Sequence, residues 1–197
     1  MQKFIEKKFD LPKLKGISEK TNEEHLKLYA GYVKNTNLIL EKMEELGVDA
    51  DKNSYLLGEL QRRFGFEFDG MRNHEYYFSS FEDGAKALSK SDALYSAIES
   101  EWNSFDAWLL RFKAISMTRG IGWAVLYYDV QNKKLFNAWV DEQHLGHLTG
   151  LSPILMLDMW EHSYVADYFP SGKKNYIEDF FANINWEKIS KNFSDLI

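Results

Sequence analysis

The sequence of 197 residues contains no cysteine. This absence excludes a disulfide scaffold, an iron–sulfur cluster and a zinc site with thiolate ligands. A metal bound by this protein must therefore have nitrogen and oxygen ligands, and the five histidines are the nitrogen donors to consider. With 45% hydrophobic and 16% aromatic residues, the composition is typical of a folded chain rather than a disordered one.

Two further absences concern partners. The net charge is −6, and no run of lysine and arginine is long enough to follow a nucleic-acid backbone. The longest apolar runs, such as residues 154–157, are far too short to cross a membrane, and the first residues lack the apolar stretch and cleavage site of a signal peptide. We therefore expect a cytoplasmic protein that binds neither nucleic acid nor membrane.

The front part of the chain has the hydrophobic spacing of helices. Ser18 precedes an acidic segment and then apolar residues at helical spacing, which predicts a helix start, with Asn35 or Asn37 as the candidate point of interruption. A second helical stretch is predicted over residues 54–81, and a third over residues 91–112.

The pattern changes after residue 120. Apolar runs at 123–128 and 135–140 flank a polar turn and predict a β-hairpin, and residues 154–157 form a third candidate strand. Residues 176–193 again predict a helix. Helices first and strands later are typical of an α+β protein. We expect an N-terminal helical-hairpin domain over residues 1–85 and a C-terminal α/β domain over residues 86–197, with a three-stranded antiparallel sheet.

His162 is the histidine with the most informative surroundings. It follows Asp158 by four residues, directly after the third candidate strand. If the strand ends at the aspartate and a helical turn begins there, both side chains reach one point, where a carboxylate and an imidazole suit a first-row transition metal. The spacing alone also fits an aspartate at a helix start and a buried histidine.

The wider context is more specific. Residues 153–168, which contain Asp158-Met-Trp-Glu-His162, resemble the signature of the iron/manganese superoxide dismutases. The resemblance continues in residues 176–186, and residues 120–124 are similar to the start of a strand in that family. In the helical half, Asn73-His74 with the aromatic residues that follow is similar to a ligand segment of the same family.

The resemblance implies a metal centre with three histidines and one aspartate. The implied ligands of one manganese or iron ion per subunit are His25, His74, Asp158 and His162. His25 precedes Tyr32 by seven residues where the family pattern has eight, so a rigid alignment would place Glu24 at the ligand position. We choose His25, because histidine is the expected donor and a π-bulge can absorb one residue.

The resemblance also implies roles around the metal. Tyr32 would be the gateway residue of the substrate channel. A glutamine of the family hydrogen-bonds the solvent on the metal; it lies four residues before the second ligand in typical iron enzymes and in the C-terminal half in typical manganese enzymes. Here Gly70 occupies the first position and Gln143 is the candidate for the second, which favours manganese slightly, with His144 as the alternative to Gln143.

Further residues are implied to enclose the site or to join two subunits. Trp123 and Trp160 would belong to an apolar wall around the metal. Glu161 resembles the residue that crosses a dimer interface to the partner's His162, and Tyr164 would lie on the same interface, so we expect a homodimer. The fifth histidine, His147, fits no ligand position.

The activity implied by the resemblance is superoxide dismutation, in which the metal alternates between +3 and +2 and superoxide and protons are the substrates. Two alternatives stay open. One is a metal-binding protein on the same fold without dismutase activity, and the other is a different non-haem iron oxidoreductase with histidine and carboxylate ligands. Aromatic residues near every candidate ligand argue against the cavity that an organic co-substrate would need.

Overall fold

The computed structural model describes residues 3–197, and it begins with a pair of long antiparallel helices. Helix α1 spans Glu19–Gly47 and helix α2 spans Ser54–Ser79. The Ser18 side chain caps α1 by accepting a hydrogen bond from the backbone N–H of Thr21 at 3.1 Å.

Helix α1 runs through Asn35 and Asn37 without a break, so the expected interruption is wrong. The Asn37 side chain instead hydrogen-bonds the backbone N–H and C=O of Phe4 at 2.8 and 2.9 Å, which ties the N-terminal segment to the helix. Residues 25–32 are α-helical throughout, so the one-residue difference in spacing does not produce a π-bulge.

Three antiparallel strands form a sheet in the order β2-β1-β3, which confirms the α+β fold class. They are β1, Gly122–Asp129; β2, Lys134–Asp141; and β3, Ser152–Asp158. Every residue of the central strand β1 is buried, as expected for a strand covered on both faces.

Two of the predicted helices are each divided in two. Helices α3, Ala93–Trp102, and α4, Phe105–Ser116, are separated at Asn103, whose φ of 68° ends the first helix. In the same way α6, Lys173–Asn183, and α7, Trp186–Ser194, are separated by an extended residue before the capping Asn185. A 3-10 turn, Glu161–Ser163, and the short helix α5, Val165–Tyr168, follow β3.

One buried hydrophobic core includes residues of the helix pair, the sheet and the later helices. The side chain of Asn185 donates to the carbonyl of Glu82 at 2.8 Å, and its backbone N–H donates to the carbonyl of Ser80 at 2.6 Å, so the two predicted domains are also joined by hydrogen bonds. Among the described residues, no helix is both long and apolar enough to cross a membrane.

Candidate metal centre

Four side chains from four different elements converge at the junction of the helix pair and the sheet. His25 comes from α1, His74 from α2, Asp158 from the last position of β3 and His162 from the 3-10 turn. One donor atom from each lies within 4.8 Å of all the others. The strand therefore ends at the aspartate and a helical turn follows, as the spacing of Asp158 and His162 predicts.

One carboxylate oxygen is the centre of this arrangement. Asp158 Oδ2 lies 3.1 Å from His25 Nε2, 3.2 Å from His162 Nε2 and 3.6 Å from His74 Nε2. The other oxygen, Oδ1, accepts a hydrogen bond from the backbone N–H of Trp160 at 2.8 Å. This second bond fixes the rotation of the carboxylate, so that Oδ2 stays directed at the three imidazoles.

The orientation of His74 leaves one of its buried nitrogens without a partner in the described chain. Its Nδ1 lies 2.5 Å from the carbonyl oxygen of Gly70, which can only accept, so Nδ1 carries the hydrogen and Nε2 presents a lone pair. His74 Nε2 is buried and has no hydrogen-bond partner among residues 3–197. Since an unpaired buried nitrogen facing a carboxylate oxygen is unfavourable, a metal ion at this point would satisfy both atoms.

Burial sets the charges of the donors. Burial lowers the pKa of His25, and with the nearby His25 it lowers the pKa of His74 to about 3, so both imidazoles are neutral. Burial alone would raise the pKa of Asp158, but His162 and His25 outweigh it and hold that pKa below its usual range. The imidazoles and the one ionised carboxylate form a nitrogen and oxygen donor set that suits manganese or iron.

A tight turn after β2 carries Gln143 towards the metal centre. The turn is closed by two backbone hydrogen bonds between Asp141 and Leu145, at 2.8 and 3.1 Å. Glu142 has a φ of 51°, and its carbonyl oxygen accepts a hydrogen bond from Trp160 Nε1 at 3.1 Å. The left-handed residue reverses the chain, and the side chain of Gln143 is fully buried as a result.

The amide of Gln143 connects the two halves of the molecule. Its Oε1 accepts from Trp123 Nε1 at 3.0 Å, and its Nε2 donates to the Tyr32 hydroxyl at 3.0 Å. His144 instead has its ring 5.7 Å from that of Phe66, and its Nδ1 is buried without a hydrogen-bond partner in the described chain. The structure thus brings Gln143, rather than His144, to Tyr32.

Gly70 allows the close approach of α1 and α2. A Cβ atom at this position would lie 2.6 Å from the ring of Tyr32, much closer than van der Waals contact. The tyrosine ring therefore occupies the space that a side chain at residue 70 would need. A glutamine cannot be placed there unless Tyr32 moves.

Aromatic rings enclose the donors. Trp123 lies 5.1 Å from the His74 ring, and Trp160 is stacked on His162 at 5.8 Å. The His162 side chain keeps 21% of its surface exposed, whereas those of the other three donors are at most 1% exposed. The enclosure is therefore most open on the side of His162.

Two residues near Tyr32 were missed by the sequence analysis. The ring of Phe66 lies 6.0 Å from that of Tyr32 and 6.3 Å from that of Trp160, and the guanidinium of Arg63 lies 3.8 Å above Phe66. Arg63 also pairs with Glu67 at 2.7 Å. A signal was present in the sequence, since residues 63, 66, 70 and 74 recur at helical spacing along one face of α2.

The residues expected at a subunit interface lie on the His162 side. Glu161 is exposed beside His162, while Tyr164 is buried with its ring stacked on that of Tyr176 at 5.3 Å. The phenol of Tyr176 in turn donates to the backbone carbonyl of Asp158 at 2.9 Å, so Tyr164 belongs to the packing that supports Asp158.

Comparison with known proteins agrees with this geometry. The family model for the C-terminal domain of iron/manganese superoxide dismutases matches residues 90–192. The chain is 35% identical over 185 residues to a superoxide dismutase [Fe] of Cupriavidus metallidurans, which covers 92% of this chain and 91% of the relative. It is 32% identical over 181 residues to a superoxide dismutase [Mn] of Mycobacterium avium, with 90% and 85% covered. The chain belongs to the iron/manganese superoxide dismutase family.

Proposed function

We propose that this superoxide dismutase holds one manganese or iron ion between His25, His74, Asp158 and His162. The observation that carries the assignment is the convergence of their donor atoms within 4.8 Å around a buried, unpartnered nitrogen of His74. When bound, the ion would supply a centre that alternates between +3 and +2, so that one superoxide is oxidised to dioxygen and another, with two protons, is reduced to hydrogen peroxide.

The chain stabilises a positive charge at this point with one carboxylate. Asp158 is fully buried, and it is held ionised although burial opposes this. Its orientation is fixed by Trp160 N–H on Oδ1 and by Tyr176 and Ser163, which donate to its backbone carbonyl at 2.9 and 3.1 Å. Such supporting bonds hold a ligand in one geometry and tune its basicity.

Gln143 and Tyr32 are proposed to supply the polar face of the site. Because Trp123 occupies Oε1 of Gln143, the amide must present its NH₂ group to Tyr32. The Tyr32 hydroxyl accepts this bond and keeps its own hydrogen available for a donor interaction within the site. Burial, together with the charge of Asp158, raises the pKa of Tyr32, so the phenol stays protonated at neutral pH.

The finer assignments are proposals of the same kind. The Tyr32 ring over Gly70 leaves the C-terminal Gln143 as the amide donor, an arrangement that favours manganese slightly. We further propose a homodimer through Glu161 and His162, a cytoplasmic location, an antioxidant role, and the division into domains at residues 1–85 and 86–197. The exposed Glu161 beside a partly open His162 supports the dimer.

The two alternatives are less well supported. A protein that only stores metal needs the donors but not a buried amide joined to a tyrosine beside them. An oxygenase needs space for an organic co-substrate, whereas aromatic rings lie within 6 Å of the rings of His25, His74 and His162.

The test is to load the metal-free protein separately with manganese and with iron, and then to measure metal content and the rate of superoxide removal. We expect one ion per chain, activity with at least one metal, and a rate with manganese at least equal to that with iron. Absence of activity with both metals contradicts the proposed function, and a rate far higher with iron contradicts the manganese preference. A monomer in light scattering contradicts the dimer.

A further inference from the structure

His147 lies directly beside the turn that carries Gln143. Its Nε2 is 3.1 Å from the carbonyl oxygen of Gln143, and its Nδ1 is hydrogen-bonded to the hydroxyl of Tyr127 on β1. The His147 ring therefore bridges the central strand and the backbone of the residue that meets Tyr32.

The partners of His147 determine which nitrogen carries the hydrogen. The Gln143 carbonyl can only accept, so Nε2 must be the donor. With the hydrogen on Nε2, the lone pair of Nδ1 faces the Tyr127 hydroxyl, which can donate to it. One tautomer of the imidazole thus satisfies both contacts in the hydrogen-bonded chain from Tyr127 to Gln143.

We propose that His147, oriented by Tyr127, is a positioning residue that fixes the peptide of Gln143 and thereby the direction in which its amide meets Tyr32. The inference rests on the proposed role of Gln143 and Tyr32 at the metal centre.

The Gln143 carbonyl needs such support because the turn itself does not hold it. The two backbone bonds that close the turn belong to Asp141 and Leu145, and the preceding Glu142 is in a left-handed conformation. The carbonyl is held instead by two side chains, Asn73 Nδ2 at 2.9 Å from α2 and His147 Nε2. Loss of one donor leaves this carbonyl with a single side-chain donor, so the peptide of Gln143 is held less firmly and the direction of its amide can shift.

The connection positions Gln143 rather than delivering protons to it. The last group of the chain is a backbone carbonyl, which accepts a hydrogen bond but has no proton to pass on. A displacement of about 1 Å in a catalytic group is enough to lower a rate substantially, so a positioning role can have a measurable effect on turnover.

The experiment compares His147→Ala, His147→Gln and Tyr127→Phe in the metal-loaded protein, with Gln143→Asn as the reference for a displaced amide. The control is Tyr128→Phe, the next residue of β1, whose ring packs on Phe193 with centroids 4.9 Å apart. The measurements are the reduction potential of the bound metal, kcat/KM for superoxide, and the thermal midpoint.

We expect His147→Ala to shift the reduction potential in the same direction as Gln143→Asn and to lower kcat/KM roughly five-fold, which corresponds to about 1 kcal/mol for one hydrogen bond. His147→Gln should recover part of both quantities, because a glutamine amide can also donate to the carbonyl. Tyr127→Phe should have a smaller effect in the same direction, and Tyr128→Phe should leave both quantities unchanged.

The inference is overturned if the His147 and Tyr127 variants keep the wild-type potential and kcat/KM, whatever happens to the thermal midpoint. If His147→Ala does not fold, His147→Gln and Tyr127→Phe decide the matter, because each keeps a side chain of similar volume. If Gln143→Asn itself has no effect, the proposed role of Gln143 fails; if it has an effect and the other variants have none, only the positioning role of His147 fails.

Discussion

The helix pair and the sheet region each contribute two of the proposed ligands, but they hold them in different ways. His25 and His74 lie within uninterrupted helices, and the bond that orients His74 comes from Gly70, four residues earlier in the same helix. Asp158 and His162 lie where a strand ends and a turn begins. The orientation of Asp158 depends on hydrogen bonds from the turn itself and from the later helix α6.

The two regions also differ in charge. The helix pair supplies neutral imidazoles, whereas the sheet region supplies the carboxylate that balances the positive ion. Gln143, also from the sheet region, reaches Tyr32 across 111 residues of sequence. The comparison teaches that a helix can orient a histidine through a bond within its own turn. The charge of Asp158 and the hydrogen bond between Gln143 and Tyr32 depend instead on contacts between segments that are distant in the sequence.

The largest effect is expected when the charge from the sheet region is removed. Asp158→Asn should lower metal affinity by more than about 100-fold, the upper range for a group outside the ligand set, and should abolish superoxide removal. The measurements are metal content after dialysis and the rate of superoxide removal. Asp195→Asn makes the same charge change at the exposed end of α7 and should retain metal. An Asp158→Asn protein with full metal content would contradict the ligand assignment.

A smaller loss is expected for a ligand of the helix pair. His25→Gln replaces a neutral donor by another neutral side chain, so metal affinity should fall by at least about 100-fold, the upper range for a group outside the ligand set, but by less than for Asp158→Asn. Glu24→Gln is the matched control, because Glu24 is exposed and pairs with Lys27 at 2.7 Å. Metal titration of both variants tests whether His25 or Glu24 is the ligand from α1. Loss of metal in Glu24→Gln alone would show that the ligand lies one residue earlier in the helix.

Two glycines of α2 separate the effect of packing from that of helix propensity. Gly70→Ala should displace the Tyr32 ring and lower kcat/KM about ten-fold, since small displacements of site groups have effects of this size. Gly58→Ala meets no atom within 4 Å and should raise the free energy of unfolding by about 0.5–1 kcal/mol. Kinetics and denaturant unfolding check both changes. Equal kinetics in the two variants would mean that Tyr32 tolerates the added methyl group.

The smallest effect concerns attraction of the anionic substrate from the helix side. Arg63→Gln removes the cation above Phe66 and should lower kcat/KM about two- to three-fold at low ionic strength, with the difference disappearing at high salt. Arg62→Gln is the control, because Arg62 is exposed and pairs with Glu59 at 2.7 Å. The same salt dependence in both variants would indicate a general effect of net charge and no local role for Arg63.

Several features of the fold could be predicted from hydrophobic spacing, and others could not. The start of α1, the whole of α2 and the three strands have strong periodicity or compact apolar runs, and they were located to within a few residues, whereas the continuation of α1 through Asn35 and Asn37 was not. The breaks at Asn103 and before Asn185 were missed, because apolar residues continue at helical spacing across both positions and only the backbone conformation interrupts them.

The candidate site likewise has features that the sequence predicts and features that it does not. Its residue types and the order of its segments are evident in the chain, and the resemblance to a known family follows from them. The choice between Gln143 and His144 could not be made from adjacent positions in one loop. It depends on the left-handed Glu142 and on Trp123 and Tyr32, which meet the Gln143 amide from β1 and α1.

The sequence by itself determined that any metal here has nitrogen and oxygen ligands, that helices precede a small sheet, and which residues can be donors. These properties depend on residue type and local periodicity alone. The tertiary structure decided that three imidazoles face one oxygen of Asp158, that the Tyr32 ring takes the space beside Gly70, and that His147 supports Gln143. Those arrangements arise from burial and hydrogen bonds between segments far apart in the chain.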